Sequence, residues 1–303
     1  MEAQELKREE APVDDSSLGL QSSGEDETVV AEEKLQVAAS AASRGGGEKD
    51  EEEEEAWKNN LEEVEEIIGY KFNDPKLLRQ AFTHSSYRSE CSWSYERLEY
   101  MGDSVLNMLI TKEHYFLYPE LPPGKLTPLR AFNVDTEKLA RVAIKYNLHK
   151  YLRHRKPLLE GQVNTFKKAA SEYPFHSAGL IDPPKALADI VESLLGAVYI
   201  DSGCSTDTTW PIVKSLLQPM ITPTNLEQHP VSKFYEICQK RGWKVETVDV
   251  WEETGEIHVY VNGEFAGKSK FKGKKLTAHN RAAHNAYYNY LMEKLSLENG
   301  NKE

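Results

Sequence analysis

The 303-residue chain is poor in cysteine: Cys91, Cys204 and Cys238 are its three. An odd total without C-x-x-C spacing supports neither a disulfide framework nor a zinc knuckle, so a reducing compartment is expected. Long apolar runs are missing too. The longest, Leu194 to Ile200, is far short of the ~20 residues that cross a bilayer. Met1 to Lys7 has no apolar signal core and no Arg-rich, acid-poor transit character. These absences exclude a membrane protein and predict a soluble, intracellular one, in the nucleus, the cytoplasm or both, since no strong basic localisation cluster stands out. Glu-x-x-His occurs nowhere, which disfavours a di-iron carboxylate bundle. An excess of basic charge is also lacking: 49 Asp and Glu against 37 Lys and Arg give a net charge of −12, at first sight a poor match for a polyanionic partner.

The sum hides an uneven distribution. Residues 1–55 hold 18 acidic and 5 basic side chains, leaving 31 and 32 for residues 56–303. The N-terminal segment has acidic runs, Gly45-Gly46-Gly47 and no aromatic residue. It cannot bury enough surface to offset its ordering entropy, so a disordered acidic tail is expected over 1–55. Such a tail is either plain solvated chain or an internal polyanion mimic that competes for a basic face.

Residues 56–218 carry helical periodicity: apolar positions recur at spacings of three and four in Trp57 to Ile68, Pro75 to Phe82, Glu96 to Phe116, Asp135 to Ile144 and Pro184 to Ile200. Breaks fall at Pro119 to Gly124 and at Asp182-Pro183-Pro184. Residues 219–228 read as a Pro-rich linker. After it the period changes: helix over Ser232 to Lys240, strands over Val245 to Trp251, Ile257 to Val261 and Phe265 to Phe271, and helix again over Leu276 to Leu295. The expected architecture is multidomain, an all-α domain followed by a small α+β unit (α-β-β-β-α) over 229–296, with 297–303 a C-terminal tail.

Two of the helices contain acids among apolar residues, which is costly unless the charges are paired or metal-bound. Glu96, Glu99 and Asp103 share one helical face, and Asp103 stands at the entrance to the apolar run Val105 to Ile110. In the second helix Asp189 and Glu192 are three apart, with Gly196 one turn further on the same face. A glycine there costs about 1 kcal/mol of helix propensity and would let another backbone or a substrate come close to the carboxylates. Facing each other, the two helices would form an all-oxygen cluster suited to Mg²⁺ or Mn²⁺ and to phosphodiester hydrolysis. The competing reading makes the acids solvated helix positions with Arg97 or Lys185 as surface partners. His84 reads as an acid/base candidate or, more simply, as a packing histidine.

The segment Glu96-Arg97-Leu98-Glu99-Tyr100-Met101-Gly102-Asp103-Ser104-Val105-Leu106 resembles the signature of ribonuclease III. Gly69-Tyr70-Lys71-Phe72, Ala81 to Tyr87 and Ala188 to Ala197 are similar to that family's other motifs, in the family's order. The stretch Phe175 to Lys185 and the phrase Asn133 to Ala140 look more like plant ribonuclease-three-like proteins and the ribonuclease domains of Dicer-like enzymes. The resemblance implies an endoribonuclease that cleaves both strands of double-stranded RNA to 5′-phosphate and 3′-hydroxyl ends, as a homodimer formed through the ribonuclease III domain. It implies Glu99, Asp103, Asp189 and Glu192 as ligands of Mg²⁺ or Mn²⁺, with Asp103 and Glu192 the catalytic positions and Glu96 a supporting acid. A non-catalytic double-stranded-RNA-binding partner on the same fold is the alternative, and a phosphohydrolase of small phosphates a third.

Between Phe265 and His284 there are six cations and no acid, running into the start of the last helix, where the helix dipole also favours phosphate. The α-β-β-β-α order resembles a double-stranded-RNA-binding domain, a type of module that reads A-form shape. Lys270, Lys272, Lys274, Lys275 and His279 are its expected RNA-binding residues, although Leu276 and His279 stand where that family usually has lysine. Cys238, near Lys240 and Arg241, is a candidate redox thiol. Its position four residues from Phe234 on the presumed core face predicts instead a packed, inert one.

Overall fold

The computed structural model describes residues 55–87, 93–227 and 230–300. The expected tail up to residue 54, and Cys91, lie outside them. Residues 55–60 are helical. Eight helices follow: α1 (Glu62–Ile68), α2 (Pro75–Ala81), α3 (Glu96–Leu117), α4 (Pro123–Val134), α5 (Thr136–Lys145), α6 (Leu159–Ala170), α7 (Lys185–Asp201) and α8 (Thr206–Leu216). Three of their starts carry a side-chain cap. Asp74 accepts from the Lys76 amide with Pro75 at the first helical position, Asp135 accepts from Lys138, and Ser205 from Thr208.

The stretch read as helical, 56–218, takes in α4, α6 and α8 as well, although no segment is placed at them. Pro128 and Pro211 sit inside α4 and α8, where proline removes a backbone donor and normally ends a helix. Burial overrides that propensity: Leu129 in α4 and Val213 in α8 have no exposed surface, and burying one such side chain contributes about 2 kcal/mol. The expected break at Pro119 to Gly124 is therefore shorter, since Pro123 opens α4.

The centre of the domain is the pair α3 and α7, packed against each other, with α5 on α7 and α4 on α3. Leu106 and Ile110 of α3 and Leu187, Ile190 and Leu194 of α7 are fully buried. Helix α7 is hydrophobic on nearly every side, as a helix enclosed by others must be. The segment between α6 and α7 is pinned from below. Buried Glu137 on α5 takes Arg141 at 2.8 Å, the Ser177 amide at 2.7 Å and the Ser177 hydroxyl at 2.5 Å. A buried carboxylate is tolerated because all these donors converge on it.

The expected linker contains a short helix, α9 (Pro223–Glu227). The C-terminal unit follows as α10 (Pro230–Lys240), β1 (Val245–Val250), β2 (Glu256–Val261), β3 (Glu264–Lys270) and α11 (Lys275–Ala286). The sheet is antiparallel in the order β1-β2-β3. Ile257, Val259 and Val261 alternate inward onto Phe234, Cys238, Ala278, Ala282 and Ala286, a core separate from that of the helical domain. One helix was expected from Leu276 to Leu295. The backbone instead widens to a π-turn over Tyr287–Leu291 before α12 (Met292–Gly300), so the chain expected as a tail from 297 is helical as far as Gly300. No helix among the described residues is long and apolar enough to cross a membrane.

Candidate metal centre

Where α3 crosses α7 the backbones nearly touch. Leu98 and Gly102 of α3 meet Glu192 and Gly196 of α7, with no room for a side chain at either glycine. Gly196 thus admits another backbone, one of the two options its position left open. This crossing brings Glu99, Asp189 and Glu192 together, each offering a carboxylate oxygen within 4.8 Å of the others.

Two of the three members are hydrogen-bonded. Asp189 is buried; one oxygen accepts from the Tyr95 hydroxyl at 2.9 Å and the other meets the Lys185 ammonium at 2.6 Å. Lys185 also reaches Glu99 at 2.6 Å and so bridges the two helices. Desolvation works against this ammonium, but its hydrogen bonds to Asp189 and Glu99 outweigh that and hold its pKa above the usual lysine range. Burial, reinforced by Asp189, pushes the Tyr95 phenol far up, so it remains a neutral donor. Glu192 has only the charge of Lys185 in its favour, the smallest of the influences on it. Burial first, then Asp103, Asp189 and Glu99, push its carboxyl up to about 8. The cluster carries more negative charge than Lys185 can neutralise.

Asp103 is exposed one turn further along α3, outside the group of three. Its carboxylate accepts from the Asn107 side chain at 2.8 Å, yet it remains close enough to act on Glu192. Glu96 is exposed at the start of α3 and takes the Ser94 hydroxyl at 3.3 Å. His84 packs edge-on against Tyr95, accepts from the Ser86 amide, and has its pKa lowered by burial first and then by Lys156, which is the behaviour of a packing histidine.

Sequence reasoning gave Lys185 only a surface role and overlooked Tyr95. Signals for both were present. Lys185 lies four residues before Asp189 on the same helical face, and Tyr95 directly precedes the acidic face of α3.

The expected RNA-binding residues gather around the start of α11. Lys274 is its N-cap, Lys275 its first residue, and His279 one turn in. Lys272 is exposed just before it, and Lys270 ends β3. Lys275 pairs with Asp249, and this pair, with the Trp251 amide, holds the Asp249 carboxyl low. Cys238 is 1% exposed and burial raises its thiol pKa, so the nearby Lys240 and Arg241 do not activate it.

A family model described as "Ribonuclease III domain" matches residues 96–203, from the start of α3 to just beyond α7. Ribonuclease 3-like protein 3 of Oryza sativa subsp. japonica is 46% identical over 224 residues, covering 73% of this chain and 75% of that protein. Endoribonuclease Dicer homolog 1 of Arabidopsis thaliana is 42% identical over 230 residues, 74% of this chain and 12% of its own length. Among solved structures, the nuclease domain of ribonuclease III from Campylobacter jejuni is 26% identical, with a TM-score of 0.41, covering 54% of this chain and 99% of that one.

Proposed function

The chain belongs to the ribonuclease III family, and from that premise we propose that it is a divalent-metal-dependent endoribonuclease that cleaves double-stranded RNA inside the cell to 5′-phosphate and 3′-hydroxyl ends. The observation that carries the reading is the carboxylate group at the α3–α7 crossing, under-neutralised and all-oxygen. That donor set fits Mg²⁺ or Mn²⁺ and would not select zinc.

Glu99, Asp189 and Glu192 would hold the ion, with Asp103 beside them. A divalent cation there supplies an activated water and neutralises the phosphodiester. The chain's own residues do the rest. Tyr95 fixes one Asp189 oxygen so that the other faces the cluster. Lys185 balances Glu99 and Asp189 and must withdraw its ammonium when an ion takes that place. Glu192 holds a proton near neutral pH and must give it up to become a ligand.

The C-terminal unit, with phosphate-binding chemistry at the start of α11, serves in this reading as the double-stranded-RNA-binding module, with Lys270, Lys272, Lys274, Lys275 and His279 as contacts. Two copies of the chain, joined through the nuclease domain, would each cut one strand. The deciding experiment incubates long double-stranded RNA with the full chain and Mg²⁺ beside the Glu192→Gln variant. Magnesium-dependent cleavage that the variant loses is expected. RNA binding without cleavage by the wild type would leave the chain a non-catalytic partner on this fold.

A further inference from the structure

Five of the six cations between Phe265 and His284 are already in contact within the chain. Lys268 and Lys270 lie 3.9 and 3.6 Å from Glu256, and Lys275 is on Asp249. Two more, Lys274 and Arg281, reach outside their own module. The Lys274 ammonium is 2.7 Å from an Asp182 carboxylate oxygen, and Arg281 Nε donates to the Leu180 carbonyl at 2.7 Å while its guanidinium stacks on Phe271 at 4.3 Å. Asn280 adds a contact to the Gly179 carbonyl at 3.4 Å. Of the six cations in this stretch, Lys272 and Arg281 have no ion pair among the described residues.

The partner surface is the segment between α6 and α7, shaped for this contact. Glu137 holds Ser177, whose hydroxyl oxygen in turn accepts from the Leu180 and Ile181 amides. Ala178 and Gly179 then turn through positive φ of 51° and 83°, presenting the Gly179, Leu180 and Asp182 acceptors to α11. The fit is tight at Gly179, where a Cβ would stand 2.1 Å from the Asn280 side chain.

We propose that residues 179–182 are an internal competitor for RNA phosphate, a latch that holds the start of α11 closed until double-stranded RNA displaces it. The inference rests on the reading of the C-terminal unit as an RNA-binding module. The chemistry of latch and ligand is the same: a carboxylate and a carbonyl occupy the donors that phosphate oxygens would take. The strength is suited to displacement. The Lys274 side chain is 58% exposed, and Asp182 lies at ion-pair distance without hydrogen-bond alignment. A pair of this kind is worth roughly fivefold in an equilibrium constant, or less. The segment continues through Pro183 and Pro184 into Lys185, the ammonium on Glu99 and Asp189, so the latch lies immediately upstream of the metal centre in the chain.

The test measures affinity of the full chain for a double-stranded RNA in EDTA at low salt, so that nothing is cut, with wild type, Asp182→Asn and Gly179→Ala. Asp182→Asn removes the ion pair; Gly179→Ala, strained at a φ of 83° and placed against the Asn280 side chain, disturbs the same contact without changing charge. Both should bind roughly threefold tighter or more, and hydrogen exchange over residues 275–281 in the RNA-free protein should quicken in both. Tighter binding by Asp182→Asn alone, with exchange unchanged, would mean that only repulsion between Asp182 and RNA was lost, and would overturn the latch. Equal, measurable affinities for all three would also overturn it while leaving the RNA reading intact. No binding by any of them would overturn both.

Discussion

Gly102 and Gly196 face one another across the crossing of α3 and α7: a Cβ on the first would lie 1.8 Å from the Glu192 carbonyl, and one on the second 2.1 Å from the Leu98 carbonyl. Both obstacles are backbone and cannot step aside. The two glycines set the distance between the helices and therefore the spacing of Glu99, Asp189 and Glu192.

Gly196→Ala should accordingly destabilise the protein by about 1–3 kcal/mol despite alanine's better helix propensity, because the helices must separate. Gly161→Ala in α6, where nothing lies within 4 Å of the new methyl, should stabilise by about 0.5–1 kcal/mol. Urea unfolding of both variants checks this. Similar shifts of one sign would mean that propensity, not the crossing, governs position 196.

The raised pKa of Glu192 makes stability depend on pH. Its carboxyl titrates near 4.5 when unfolded and about 8 when folded. Between those values the unfolded chain has released a proton that the folded chain retains, so stability present below the unfolded pKa is lost as pH rises towards 8. Glu192→Gln should therefore stabilise metal-free protein at pH 8.5 by an amount on the order of a few kcal/mol, with the gain vanishing near pH 4. Unfolding in EDTA across that range decides; a gain independent of pH would contradict the assignment.

Lys185 and a divalent cation compete for the same two carboxylates. Replacing Lys185 with Met should cost metal-free protein about 1 kcal/mol, a small figure because the side chain is 68% exposed. The same change should tighten Mn²⁺ binding several-fold by removing the competitor. Calorimetric titration with Mn²⁺ reads the second effect directly. Weaker binding in the variant would show that Lys185 supports the ion rather than standing in for it.

The two described thiols should separate under alkylation of native protein. Cys204 is exposed and Cys238 buried with a raised pKa. Position-resolved mass spectrometry after iodoacetamide treatment should find Cys204 modified and Cys238 modified only in denaturant. Rapid native labelling at Cys238 would restore the redox reading.

Much of the fold was legible because burial wrote it into the sequence. The alternation Ile257, Val259, Val261 and the apolar faces of α3 and α7 leave periods that a reader can follow. Helices α4 and α8 fall inside the stretch read as helical but were not placed one by one: interior prolines argue locally against each, and the packing of Leu129 and Val213 outweighs that argument only after the chain has folded. The π-turn at Tyr287–Leu291 left no periodic signal at all.

The site divides in the same way. The sequence by itself determined which helices carry the acids, because carboxylates among apolar residues stand out against the cost of burying charge. Only the tertiary structure decided that Glu99, Asp189 and Glu192 converge while Asp103 turns to Asn107, and that Lys185 bridges the two helices. It also decided that five of the six cations before and within α11 are spent on Asp249, Glu256, Leu180 and Asp182. Charge can be counted along a chain, but its neutralisation depends on distances between residues far apart in sequence, and folding alone sets those distances.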